Sequence, residues 1–93
     1  MNKEDQIEEI LDYFDFEKVA KVMEALDWKW WSIGEVPGTG PLRRQARRLL
    51  REVATLPPGT WTSTGGLKAH HDKWGQLELE FIVAGWRVEP KEE

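Results

Sequence analysis

Five arginines stand at positions 43, 44, 47, 48 and 51 of a 93-residue chain. Residues three and four apart share one face of a helix. If this stretch is helical, the five guanidinium groups converge on one side. A guanidinium matches a phosphate or carboxylate through two parallel hydrogen bonds, so such a face is an anion or partner site. It is equally the solvated back of an ordinary helix, neutralised in part by an acidic N-terminal helix or by Glu52.

Six tryptophans are a second resource. Trp28 and Trp30 would share one face of a strand, with Trp31 and Lys29 on the other. An indole packs in a core or stacks on a base in a groove, and the sequence leaves both roles open. Ser63-Thr64-Gly65-Gly66 is a third. Its hydroxyls and backbone N–H groups could hold a phosphate, and the glycines would let backbone approach a ligand. The alternative is a bulge at a sheet edge. The stretch lacks the Gly-Lys-Ser/Thr of a phosphate-binding P-loop.

His70 and His71 are adjacent, so on a strand they point to opposite faces and cannot share a metal. His70 is a candidate ligand contact, and both read otherwise as surface histidines near a turn. No metal or cofactor is expected, and no nucleophile–base–orienter set is visible. With no cysteine, a disulfide framework, a cysteine zinc site and a thiol nucleophile are excluded.

The elements that must position these groups follow from periodicity. Ile7, Ile10, Leu11 and Phe14 form a helical apolar stripe, as do Val19, Val22, Met23 and Leu26. Asp15 is placed to cap the second helix. Residues 28–31 read as a short strand, and 32–40 as a loop. Pro41 suits the start of a third helix, with Leu42, Ala46, Leu49, Leu50 and Val53 buried and the arginines opposite. Residues 61–71 read as one strand interrupted at Gly65-Gly66. A turn at 72–75 leads to a strand in which Leu77, Leu79, Phe81 and Val83 alternate with Glu78, Glu80 and Ile82. The expected fold is α+β, order α-α-β-α-β-β, with the helices on one face of a small antiparallel sheet. The whole chain, 1–93, makes one domain, with 1–14 a helical N-terminal extension and 90–93 a frayed tail.

Charge is uneven. Residues 1–27 are net −6, residues 28–75 net +5 and residues 76–93 net −3, which sum to the overall −4. An acidic chain does not suit non-specific duplex binding, so nucleic acid is not an expected partner, but a local basic centre can hold a small anion. The acidic start and the lack of a long apolar run lead to the expectation of a cytoplasmic protein without membrane association. From 82 to 88 both faces of the last strand become apolar. That leads to the expectation of a homo-oligomer, most simply a dimer.

Residues 15–30, residues 42–50, the Ser63-Thr64-Gly65-Gly66-Leu67 stretch and Leu77 to Val83 together resemble a family of small, mostly uncharacterised proteins of tailed bacteriophages. The resemblance covers most of 13–88. Leu67 stands where the family position is usually aromatic. It implies an accessory gene product acting in a bacterial cytoplasm, in the conflict with host defences. Two functions then lead, ahead of an enzyme acting on a nucleotide with His70 or Glu78 as base. One is a non-catalytic sponge for a small anionic, nucleotide-derived immune signal. Its ligand-binding set would be Trp28, Trp30, Arg44, Arg47, Ser63, Thr64, Gly65, Gly66 and His70. The other is an inhibitor that binds a host defence protein through the same basic, aromatic surface.

Overall fold

The computed structural model describes residues 2–25, 39–64, 66–83 and 86–88. Among these residues three helices are followed by four strands: α1 (Lys3–Tyr13), α2 (Phe16–Ala25), α3 (Thr39–Ala54), β1 (Trp61–Thr64), β2 (Leu67–His71), β3 (Leu77–Val83) and β4 (Trp86–Val88). The fold is α+β, with the helices on one face of an antiparallel sheet. The strand order is β1-β2-β3-β4, a simple meander. All three helices precede the described strands. The strand expected at 28–31 lies outside the described residues.

Local chemistry sets the helix ends. Asn2 caps α1, its side-chain oxygen accepting the Asp5 N–H at 2.8 Å. Phe14 leaves the helix with extended backbone, and its N–H still reaches the Ile10 carbonyl at 2.9 Å. Asp15 then caps α2 through the Lys18 N–H at 3.1 Å, as its position implied. The rings of Phe14 and Phe16 flank this corner with centroids 5.0 Å apart, both buried. α3 starts two residues before Pro41. A proline in the first turn leaves no hydrogen bond unmade, because N–H groups there lack intrahelical acceptors.

The stretch 61–71 holds a reversal rather than an interrupted single strand. Thr64 opposes Leu67, so the chain turns back within two residues and 61–71 is a hairpin of two strands. Gly66 has φ +92°, the left-handed backbone that such tight turns require. The next turn is built on Asp72. Its carboxylate accepts the Trp74 and Gln76 N–H groups at 2.9 and 2.8 Å, and Gly75 supplies φ +82°. Val83 opposes Trp86, so the apolar stretch 82–88 is also two antiparallel strands, not one. The side chains beyond Ile82, which motivated an oligomer at that end, lie outside the described residues.

Alternation fixes the two faces of the sheet. Leu67, Ala69, Leu77, Leu79 and Phe81 are buried on the inner face, under Leu42, Ala46, Leu49, Leu50 and Val53 of α3. Ile7 and Leu11 of α1 and Val19, Val22 and Met23 of α2 complete the same core. Lys68, His70, Glu78, Glu80 and Ile82 occupy the outer face.

Leu49→Ala removes a side chain that is 2 % exposed. It should lower unfolding free energy by about 2–5 kcal/mol in denaturant titration. Ile82→Ala, on the outer face, should stay within about 1 kcal/mol. Equal losses at the two sites would mean that the faces are misassigned.

Candidate functional site: the arginine face of the third helix

α1 and α3 run antiparallel, and each carries charges at a four-residue spacing. Asp12, Glu8 and Glu4 of α1 therefore meet Arg43, Arg47 and Arg51 of α3 in sequence. Arg43 bonds Asp12 at 2.7 Å and also donates to the Leu11 carbonyl at 2.9 Å. Arg47 holds Glu8 with two bonds, of 3.0 and 3.1 Å. Arg51 holds Glu4 at 3.2 and 3.3 Å. The hydrogen bonds from Arg47 hold the Glu8 carboxyl below its ordinary pKa of 4.5, against an opposing effect of burial, and the charges of Arg47, Arg43 and Arg51 add to the lowering. Reciprocally, the Glu8 bond raises Arg47. Three of the five arginines thus serve as a clasp between helices.

Arg44 and Arg48 point elsewhere. One turn apart, both are exposed, and neither has a carboxylate partner among the described residues. With Arg47 and Arg51 they line an open groove of about 350 Å³. Its chemistry is that of a cation pair already spread along a rigid helix, with two further guanidiniums fixed behind it by α1.

The other expected contacts are distributed differently. Ser63 is exposed on the outer face of β1. The Thr64 hydroxyl donates to the Ser63 carbonyl at 2.9 Å. Gly66 is needed for the hairpin, and its carbonyl accepts the Ile82 N–H at 3.0 Å. His70 stands on the outer face, with Nε2 2.7 Å from Glu80 Oε1. The sheet therefore lies between His70 and the arginine groove, and the two do not form one pocket. Trp28, Trp30 and Gly65 lie outside the described residues.

His71 corrects the expectation of a surface histidine. It is buried on the inner face, and its Nδ1–H donates to the Leu56 carbonyl at 2.9 Å. Its Nε2 has no hydrogen-bond partner among the described residues. The Lys3 ammonium lies nearby, bonded to the Gly75 carbonyl.

Two tryptophans that periodicity did not single out are exposed. Trp61 is 57 % exposed, with the Lys68 ammonium 4.4 Å from its ring centroid. Trp74 is 76 % exposed, with Lys73 at 4.5 Å. Reading Gly65-Gly66 as a hairpin turn would have paired Trp61 with His70 on the outer face. No group of three or more metal-ligating side chains occurs among the described residues. No helix among them is long and apolar enough to cross a membrane.

The clasp predicts a pH signature. A depressed carboxyl pKa contributes stability that is present above the unfolded value of 4.5 and lost as pH falls through the folded value. Glu8→Gln should therefore be less stable than the parent at neutral pH, and the gap should close in acid. It should also shrink at about 1 M salt. Thermal melts across pH measure this, and a gap unchanged in acid would remove the clasp as its cause.

No protein-family model matches this chain, and neither curated proteins nor solved structures give a significant match.

Proposed function

We propose that this protein is a non-catalytic binder of a small phosphate-bearing ligand, held in the arginine groove of α3. The observation that carries the reading is the division among the arginines. Arg43, Arg47 and Arg51 are tied to α1, while Arg44 and Arg48 are exposed and without a carboxylate partner among the described residues. Like charges at this spacing repel, so the helix carries a standing electrostatic cost that an anion would relieve. The groove is open, so it would hold an anion by charge and hydrogen bonds rather than by enclosure. The resemblance to tailed-phage proteins bears on the setting, a host cytoplasm, and the ligand proposed there is a nucleotide-derived immune signal, sequestered intact.

A second reading has its own support. Trp61 and Trp74 are exposed indoles, each with a lysine over the ring. Tryptophan is a favoured hot-spot residue in protein interfaces. This favours an inhibitor that docks on a host defence protein.

Calorimetry against linear and cyclic nucleotides separates the two readings. The sponge reading expects saturable binding and recovery of unaltered ligand after denaturation. Arg44→Ala or Arg48→Ala should then weaken binding by about 1.5–3 kcal/mol, the range for hydrogen bonds to charged groups. His70→Ala, on the other side of the sheet, should leave affinity unchanged. No heat with any nucleotide, together with tight capture of one host protein, would replace the sponge by the inhibitor.

A further inference from the structure

Among the described residues no strand lies beyond β1, the first in the order β1-β2-β3-β4. The His71 N–H donates across the junction to the Thr60 carbonyl at 2.9 Å. Backbone groups alternate in direction along a strand, so those of Ala69 and Leu67 also face β1, where they meet Thr62 and Thr64. By the same alternation the N–H and C=O groups of Trp61 and Ser63 point away from the sheet. Neither residue has a backbone partner on that side among the described residues, and of their outward groups the Ser63 carbonyl accepts the Thr64 hydroxyl at 2.9 Å. Natural edges are commonly guarded by lysine or proline, and Trp61–Thr64 contains neither.

We propose that a second copy of this chain pairs with this edge, β1 against β1, antiparallel about a two-fold axis at Thr62. In that register Trp61 stands opposite Ser63 of the second copy, and Ser63 opposite its Trp61. Every outward N–H and C=O of the two residues then finds a partner. The two sheets, each of four strands, become one continuous sheet. Side chains favour the same register. The bulky indole meets a small hydroxymethyl group, and at the axis Thr62 meets itself, with each hydroxyl turned to its own Glu52 carboxylate at 3.5 Å. The Lys68 ammonium, 4.4 Å from the Trp61 ring centroid, ties the indole to its own sheet face.

The choice of a folded copy over a flexible peptide rests on entropy. The strand is four residues long and offers few hydrogen bonds. A peptide would have to be ordered to make them, whereas the edge of a second copy is already extended. An isologous two-fold contact also closes on itself and leaves no further edge of the same kind for fibre growth. This pairing does not depend on the arginine groove of α3.

Proline at position 63 provides a specific test. Ser63→Pro deletes an outward N–H and leaves the bonds to β2 in place. Light scattering and native mass spectrometry of the full chain should give a dimer at about 100 μM. Ser63→Pro should be a monomer with unchanged circular dichroism. Trp61→Lys, which places a new charge beside Lys68, should weaken the dimer by about tenfold or more and decides the matter if the proline variant misfolds. Hydrogen exchange should show the Trp61 and Ser63 amides protected in the dimer and fast on dilution. A monomeric parent at about 100 μM, or a dimer that both variants leave intact, would overturn the proposal.

Discussion

The burial of one face of α3 is the constraint on which the structure depends. Leu42, Ala46, Leu49, Leu50 and Val53 are at most 2 % exposed. Each large member contributes about 1.5–3 kcal/mol through burial. These residues meet the inner face of the sheet on one side and the apolar stripes of α1 and α2 on the other. Once that face is inward, rotation about the α3 axis is fixed, and so is the direction of every arginine.

That rotation produces two kinds of arginine from one sequence pattern. The residues at 43, 47 and 51 fall beside α1, whose acids have the same four-residue spacing and the opposite chain direction. Those at 44 and 48 fall one step further around and face solvent. The clasp contributes alignment of α1 more than raw stability, since exposed ion pairs are individually weak. It also holds two guanidiniums beside the exposed ones, each balanced by its own carboxylate, so the uncompensated positive charge of the groove is that of Arg44 and Arg48.

The sheet separates two surfaces. Its inner side is apolar, with the buried His71 as an exception that needs the Leu56 carbonyl for its Nδ1–H. Its outer side is mixed. There Lys68 lies over the exposed Trp61 ring, His70 meets Glu80 in a part-buried pair, and Ile82 is exposed. Groups adjacent in sequence, such as His70 and His71, thus end in opposite environments. Groups far apart in sequence, such as His70 and Glu80, end in contact.

The sequence by itself determined the helices, the inward residues of α3 and β3, the cap at Asp15 and the α+β class. These follow from local periodicity and from side chains that bond their own backbone, which need no distant partner. It also contained the hairpin at Gly65-Gly66, because two glycines between strand-forming residues favour a tight reversal over a continuous strand. Tertiary structure decided what periodicity cannot express. Whether Arg47 faces a ligand or Glu8 depends on where α1 lies, and nothing within α3 encodes that position. Whether His70 can join the arginines depends on which side of the sheet carries the helices. That is settled by the summed burial of the apolar side chains of three helices and the sheet, and it put Arg44 and His70 on opposite sides of the protein.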